Sequence, residues 1–170
     1  MFGFHYYAPT RVVFGKGAEG KAGELAASAH CKKVLLHYGS GSVIDSAKAI
    51  GYGVANEGDV WDFYEHTRKA EGCLPIGVVL TIAAAGSEMS GSSVITKEDG
   101  KAKRSYKSDF CRPVFAIMDP ELTMTLPAYQ TACGCTDILM HTMERYFTNG
   151  GNMELTDAIA EGLMRTVMEQ

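Results

Sequence analysis

Lys33-Val-Leu-Leu-His-Tyr38, Gly39-Ser-Gly-Ser42 and Val43-Ile-Asp-Ser-Ala-Lys48 follow one another directly in the chain. The first is an apolar run of strand length and the second a glycine-serine turn. The third opens a helical segment, Val43 to Val54, with Ile44, Ala47 and Ile50 recurring on one side. Strand, tight turn and helix in that order is the unit from which parallel sheets with flanking helices are built. Glycines at such a turn let backbone N–H groups approach a phosphate at the positive end of the helix. Ser42 can cap that helix, Asp45 suits its dipole, and Lys48 one turn on could reach a nearby anion. Glycine and serine also make ordinary strand-to-helix turns, so spacing alone leaves both readings open.

Working outward, the alternation continues. Arg11-Val-Val-Phe14 reads as a short strand closed by Gly15-Lys-Gly17, and Ala18 to His30 has helix-forming composition. Downstream, Asp59 to Tyr64 reads as a short helix, and Pro75 to Thr81 is a near-continuous apolar run of the kind buried in parallel sheets. Ser93–Thr96 and Ser105–Tyr106 flank Lys97-Glu-Asp-Gly100 as a hairpin, and Val114 to Met118 is a further buried strand ended by Asp119-Pro120. Past Pro127 the character changes: Ala128 to Gln170 reads as two helices broken at Asn149-Gly-Gly-Asn152. The expected fold is α/β, a mostly parallel sheet with flanking helices over residues 1–126, followed by the start of an all-helical domain over 127–170.

Composition narrows the partners. A chain of 170 residues with 46% hydrophobic and 21% charged residues can bury one respectable core. A formal net charge of −4 leaves no footprint for nucleic acid or anionic lipid, and the basic run Lys101 to Lys107 reads on its own as a solvated hairpin tip. No stretch reaches the ~20 apolar residues of a membrane helix, and the start lacks a charged region followed by a hydrophobic run, so a cytoplasmic protein is expected. The five scattered cysteines argue against a secreted disulfide framework, and Cys133-Gly-Cys135 lacks the second pair of a structural zinc site.

Several motifs, in order, resemble one family. Gly41-Ser-Val-Ile-Asp-Ser-Ala-Lys48 is similar to the phosphate loop of iron-containing alcohol dehydrogenases, in particular their butanol dehydrogenase-like branch. Pro9 to Gly15, Leu80 to Glu88, Met118 to Thr123 and Gly134 to His141 match other stretches of that family. The resemblance implies a reduced Rossmann-like dinucleotide-binding domain followed by the first helices of a metal-binding domain. It implies an oxidoreductase interconverting a primary alcohol and an aldehyde by hydride transfer, with NAD(P), NADP favoured, and Fe2+, Zn2+ being the other candidate metal. Carried over by position, Gly39, Ser40, Gly41, Ser42 and Asp45 would hold the pyrophosphate and ribose region. Thr81, Ser87 and Leu122 would line the rest of the cofactor surroundings, and Lys103 would reach its ribose. Ala85 stands where the family usually has a hydroxyl residue. The partners implied are a small alcohol or aldehyde and a second copy of the chain, through Phe2 to Tyr7.

Asp137 and His141, four apart on a predicted helix, project from one face and can share a cation. As an isolated pair they read equally as an Asp/His contact; within Gly134-Cys-Thr-Asp-Ile-Leu-Met-His141 they resemble the family's first two iron ligands. The other two histidines of that site would lie downstream of Gln170, and the chain reads as internally deleted and shortened at its C-terminus. At the internal deletion, Val34 to Tyr38 is expected to replace an absent later strand beside Val78 to Leu80. Two alternatives to the dehydrogenase are a nucleotide-binding fragment without turnover and a purely structural or dimerising module.

Overall fold

The structure, a computed structural model, describes residues 8–36, 42–148 and 150–169. It separates into two units. One runs to Thr81 and resumes over Gly86–Leu122; the other comprises Ile82–Ala85 and the described residues from Thr123 onward.

In the first unit, β1 (Arg11–Phe14), β2 (Gly77–Leu80) and β5 (Phe115–Met118) form a parallel sheet in the order β1-β5-β2. The register is direct, Arg11 and Gly77 both lying opposite Phe115 and Phe14 and Leu80 both opposite Met118. Helix α1 (Ala22–Ser28), preceded by a 3-10 turn at Ala18–Lys21, packs Leu25 and Ala18 on Ile117. These three residues are almost fully buried.

A second layer of the same unit is a hairpin of β3 (Ser92–Lys97) and β4 (Ala102–Lys107), antiparallel, with Ser93 opposite Tyr106. Against it pack α2 (Ser42–Ala55) and the single turn α3 (Trp61–Tyr64). Period-two alternation sends Tyr106 inward, where it joins Tyr52, Trp61, Phe63 and Tyr64. The Tyr52 and Tyr106 rings meet edge to face at 5.4 Å, and Trp61 stacks on Tyr64 at 5.7 Å. Such pairs add about 0.5–1.5 kcal/mol each beyond area burial. Two of the three tyrosine hydroxyls are partnered: those of Tyr64 and Ser93 lie 2.7 Å apart, and Tyr106 Oη accepts from the Ala70 N–H at 2.9 Å, while the buried Tyr52 hydroxyl has no hydrogen-bond partner among the described residues.

Burial within this cluster raises the Tyr64 phenol and the Cys73 thiol each to about 12, and raises Cys111 as well. Ionisation is therefore easier in the unfolded chain, which binds fewer protons than the native one above about pH 9. That contribution to stability is fully present below the ordinary thiol and phenol values and is lost as pH rises from about 9 towards 12. Urea midpoints are expected to fall steeply across that window, each group adding up to ~1.4 kcal/mol per pH unit. A flat profile between pH 9 and 11 would contradict the burial of these groups.

Helix α2 differs from its sequence reading. The face that packs is Lys48, Gly51 and Tyr52, whereas Ile50 is exposed. A lysine in mid-face reads as polar surface, which displaced the apparent apolar stripe by about one residue.

The expected strand Lys33–Tyr38 is also overturned where it is described. Residues 33–36 carry no strand, Val34, Leu35 and Leu36 are 70–80% exposed, and β2 pairs with β5, not with them. Apolar character favours a strand only where a partner ladder and a covering face exist, and this run has neither. His37 and Tyr38 lie outside the described residues, as does the segment Phe2–Tyr7. Replacing Leu35 by lysine is accordingly expected to leave the unfolding free energy within about 0.5 kcal/mol of the parent. It should also reduce light scattering at high concentration, because a contiguous exposed apolar run promotes association. A loss of several kcal/mol would show that the run is buried.

The second unit pairs α4 (Ala128–Tyr146) with α5 (Glu154–Glu169). Pro127, with no N–H to lose, occupies the N-cap of α4. Tyr146 Oη donates to Glu161 Oε1 at 3.0 Å across the pair. Gly134 faces the backbone carbonyl of Ala83 so closely that a Cβ would collide with it.

Candidate functional site

In an open parallel sheet, ligands settle beyond the carboxyl ends of the strands. Thr81 is the first residue after β2 and is exposed; Asp119 is the first after β5 and is 3% exposed. Because Leu80 and Met118 are in register, these two exits are neighbours. Asp119 shapes the edge. Its Oδ1 accepts the Glu121 N–H at 2.8 Å and its Oδ2 the Gly17 N–H at 2.6 Å, tying the end of β5 to the turn after β1. The Glu121 hydrogen bond is the main reason its carboxyl sits below the ordinary carboxylate range. Leu122, half-buried, lies in the 3-10 turn Pro120–Thr123 that this arrangement supports.

Of the glycine-serine loop, Gly39, Ser40 and Gly41 lie outside the described residues. Ser42 is the first residue of α2, and Asp45 lies in its first turn. The Asp45 carboxylate accepts the Ser87 hydroxyl at 2.7 Å through Oδ1 and the Val94 N–H at 3.1 Å through Oδ2. Lys48 does not reach outward to an anion. It is wholly buried, and its ammonium lies within 2.8–2.9 Å of Ser87 O, Ser87 Oγ, Ser90 O and Ser92 O. Desolvation lowers its pKa, opposed by Cys111 and Asp45 nearby. The structure thus brings Ser42, Asp45 and Ser87 to one locality, 42 residues apart in sequence for the last two. Sequence reasoning missed what joins Asp45 to Ser87, since a buried lysine has no local signature. Lys103 is exposed on β4 opposite Thr96.

In the second unit, Asp137 and His141 share one face of α4. His141 Nε2 lies 3.7 Å from Asp137 Oδ1, and both side chains are roughly half exposed. Glu144 approaches the other ring nitrogen at 3.8 Å, where a carboxylate can orient the imidazole. Asp137 borders a cavity of about 360 Å³ whose wall also includes Tyr129, Cys133, Thr136 and Met140. A carboxylate and an imidazole with free electron pairs suit a divalent metal in kind, but a catalytic site usually takes three protein donors. Among the described residues no group of three His, Cys, Asp or Glu side chains is placed to complete one.

Comparison with known proteins points to one family. Residues 37–120 match the family model of the iron-containing alcohol dehydrogenases. The chain is 45% identical over 135 residues to "Probable NADH-dependent butanol dehydrogenase 2" of Bacillus subtilis strain 168, covering 79% of this chain and 35% of that protein. It is 29% identical over 228 aligned positions to the NADPH-dependent aldehyde reductase YqhD of Escherichia coli strain K12, covering 99% and 58%. The crystal structure of NADH-dependent butanol dehydrogenase A from Thermotoga maritima superposes with a TM-score of 0.92 at 33% identity, covering 98% of this chain and 56% of that one. The chain thus spans about a third of the butanol dehydrogenase sequence and just over half of the solved structure. Since 228 positions accommodate nearly all of 170 residues, about 60 positions of the Escherichia coli protein have no counterpart here.

Proposed function

Because this chain belongs to the iron-containing alcohol dehydrogenase family, we propose that it forms the nucleotide-binding part, with the first metal donors, of an oxidoreductase that interconverts a primary alcohol and an aldehyde. On this reading residues 1–126 bind the dinucleotide and 127–170 begin a metal-binding helical domain. The observation that carries it is the joined exits of β2 and β5, which set Thr81 and Leu122 at the carboxyl edge of the sheet.

Each residue then has a physical task. The amides opening α2, with Gly39 to Ser42, attract the pyrophosphate. Lys103 reaches a ribose hydroxyl from the hairpin, and Thr81 and Leu122 flank the rings. Asp137 and His141 would hold Fe2+, or Zn2+, in company with donors other than the described residues. Bound there, a nicotinamide would supply or take up the hydride at the substrate carbon, and a metal held by Asp137 and His141 would supply Lewis acidity toward the substrate oxygen. NAD and NADP both fit the relatives' names, and NADP remains our choice. A cytoplasmic homodimer completes the proposal; no described helix is long and apolar enough to cross a membrane.

Saturable quenching of Trp61 fluorescence by NADH or NADPH is the expected result, and its absence in folded protein would remove the nucleotide reading. Fe2+ titration should show weak binding that disappears in His141→Ala; identical curves would remove Asp137 and His141 from the site. A nucleotide-binding part without turnover is the second reading, favoured by the incomplete donor set. Iron-dependent oxidation of NADPH by butanal decides between the two.

A further inference from the structure

By resemblance Ser87 would line the cofactor surroundings, yet its hydroxyl has no proton left to offer. A serine hydroxyl has one donor and two acceptor positions. Its proton goes to Asp45 Oδ1 at 2.7 Å, and one acceptor position takes Lys48 Nζ at 2.9 Å. A phosphate presents only acceptors, so it could bond this hydroxyl only by breaking the contact to Asp45.

The surrounding bonds show what the hydroxyl does instead. Lys48 Nζ gathers the carbonyls of Ser87, Ser90 and Ser92, which closes the segment Gly86–Ser92 around one buried cation. Asp45 fastens that segment's far end, through the Val94 N–H and through its own carbonyl accepting Ser93 Oγ at 2.9 Å. Asp45 and Lys48 both belong to the first turns of α2, the helix whose opening amides face the proposed pyrophosphate site. We propose that Ser87 is a positioning residue: the Lys48–Ser87–Asp45 bridge holds residues 86–92 in register with the first turn of α2, so that both sides of the nucleotide site keep one spacing. This rests on the cofactor site proposed above.

The test is a double-mutant cycle on the full chain, with dissociation constants for NADH and NADPH read by fluorescence and amide exchange read by mass spectrometry. Ser87→Ala is expected to weaken binding about tenfold and Ser87→Thr, which keeps the hydroxyl, to restore it. In an Asp45→Asn background, Ser87→Ala should add less than about twofold, since residues acting as one unit are not additive. Amides of residues 87–92 should exchange faster in Ser87→Ala while those of β4 do not change. Effects that multiply would make Ser87 a direct ligand and overturn the proposal. Faster exchange with unaltered affinity would make the bridge merely structural and overturn it too. A parent chain that binds neither nucleotide would overturn the cofactor reading itself, and the inference with it.

Discussion

Lys48→Met is expected to cost about 3–5 kcal/mol of folding free energy, the range for removing one partner from a buried charged network. The methionine stem fills nearly the same volume, so the loss isolates the ammonium. Four oxygens now within 2.9 Å of it would be left without that donor, and Asp45, 3.8 Å away, would lose its nearest cation. Each buried acceptor stranded in this way costs ~1–3 kcal/mol, less where water can enter. Domains of this size are stable by only about 5–15 kcal/mol, so the variant should approach the unfolding threshold at 37 °C. Urea denaturation at 25 °C gives the number directly. A change below ~1 kcal/mol would mean that Lys48 is solvated in solution, and that the closed bridge is not the native arrangement.

Gly77→Ala should also be damaging, at about 1–3 kcal/mol. Gly77 opens β2 directly opposite Phe115 of β5, and the Phe115 ring lies where a Cβ on Gly77 would project, too close to its Cζ, Cε1 and Cε2 for any rotamer to stay put. The ring must swing away from Ala18, Leu25 and Ile117, against which it packs. The cause can be isolated. Phe115→Leu alone costs packing, but Gly77→Ala added to Phe115→Leu should cost far less than Gly77→Ala added to the parent. Equal increments in the two backgrounds would place the strain somewhere other than the ring.

The two substitutions also mark where local pattern carried information and where it did not. β1, β2, β3, β5 and the two long helices lie within a residue or two of the spans read from composition and turn residues, and β4 begins three residues before the Ser105 read for it, because the turn residues that bound each run are its sequence neighbours. Asp137 and His141 were legible for the same reason: four residues along a helix is one turn, and one turn is one face. Lys48 was not. Its type says surface, and nothing within ten residues announces that Ser87, Ser90 and Ser92 will surround it. Val34 to Leu36 failed in the opposite direction, having the composition of a buried strand with no partner to make it one.

Periodicity, glycine placement and motif order were thus enough to read the strands β1, β2 and β5, the turn to helices near Pro127, the kinship, and the shared helix face of Asp137 and His141. Folding in three dimensions added the order β1-β5-β2, the closure of residues 86–92 on a buried ammonium, the Asp119 tie between strand exits, and the exposure of Val34 to Leu36. The division has one cause. Backbone preferences act over a few bonds and are written in adjacent residues, whereas a buried charge or a strand is stabilised only by groups dozens of residues away, whose arrival no short stretch encodes.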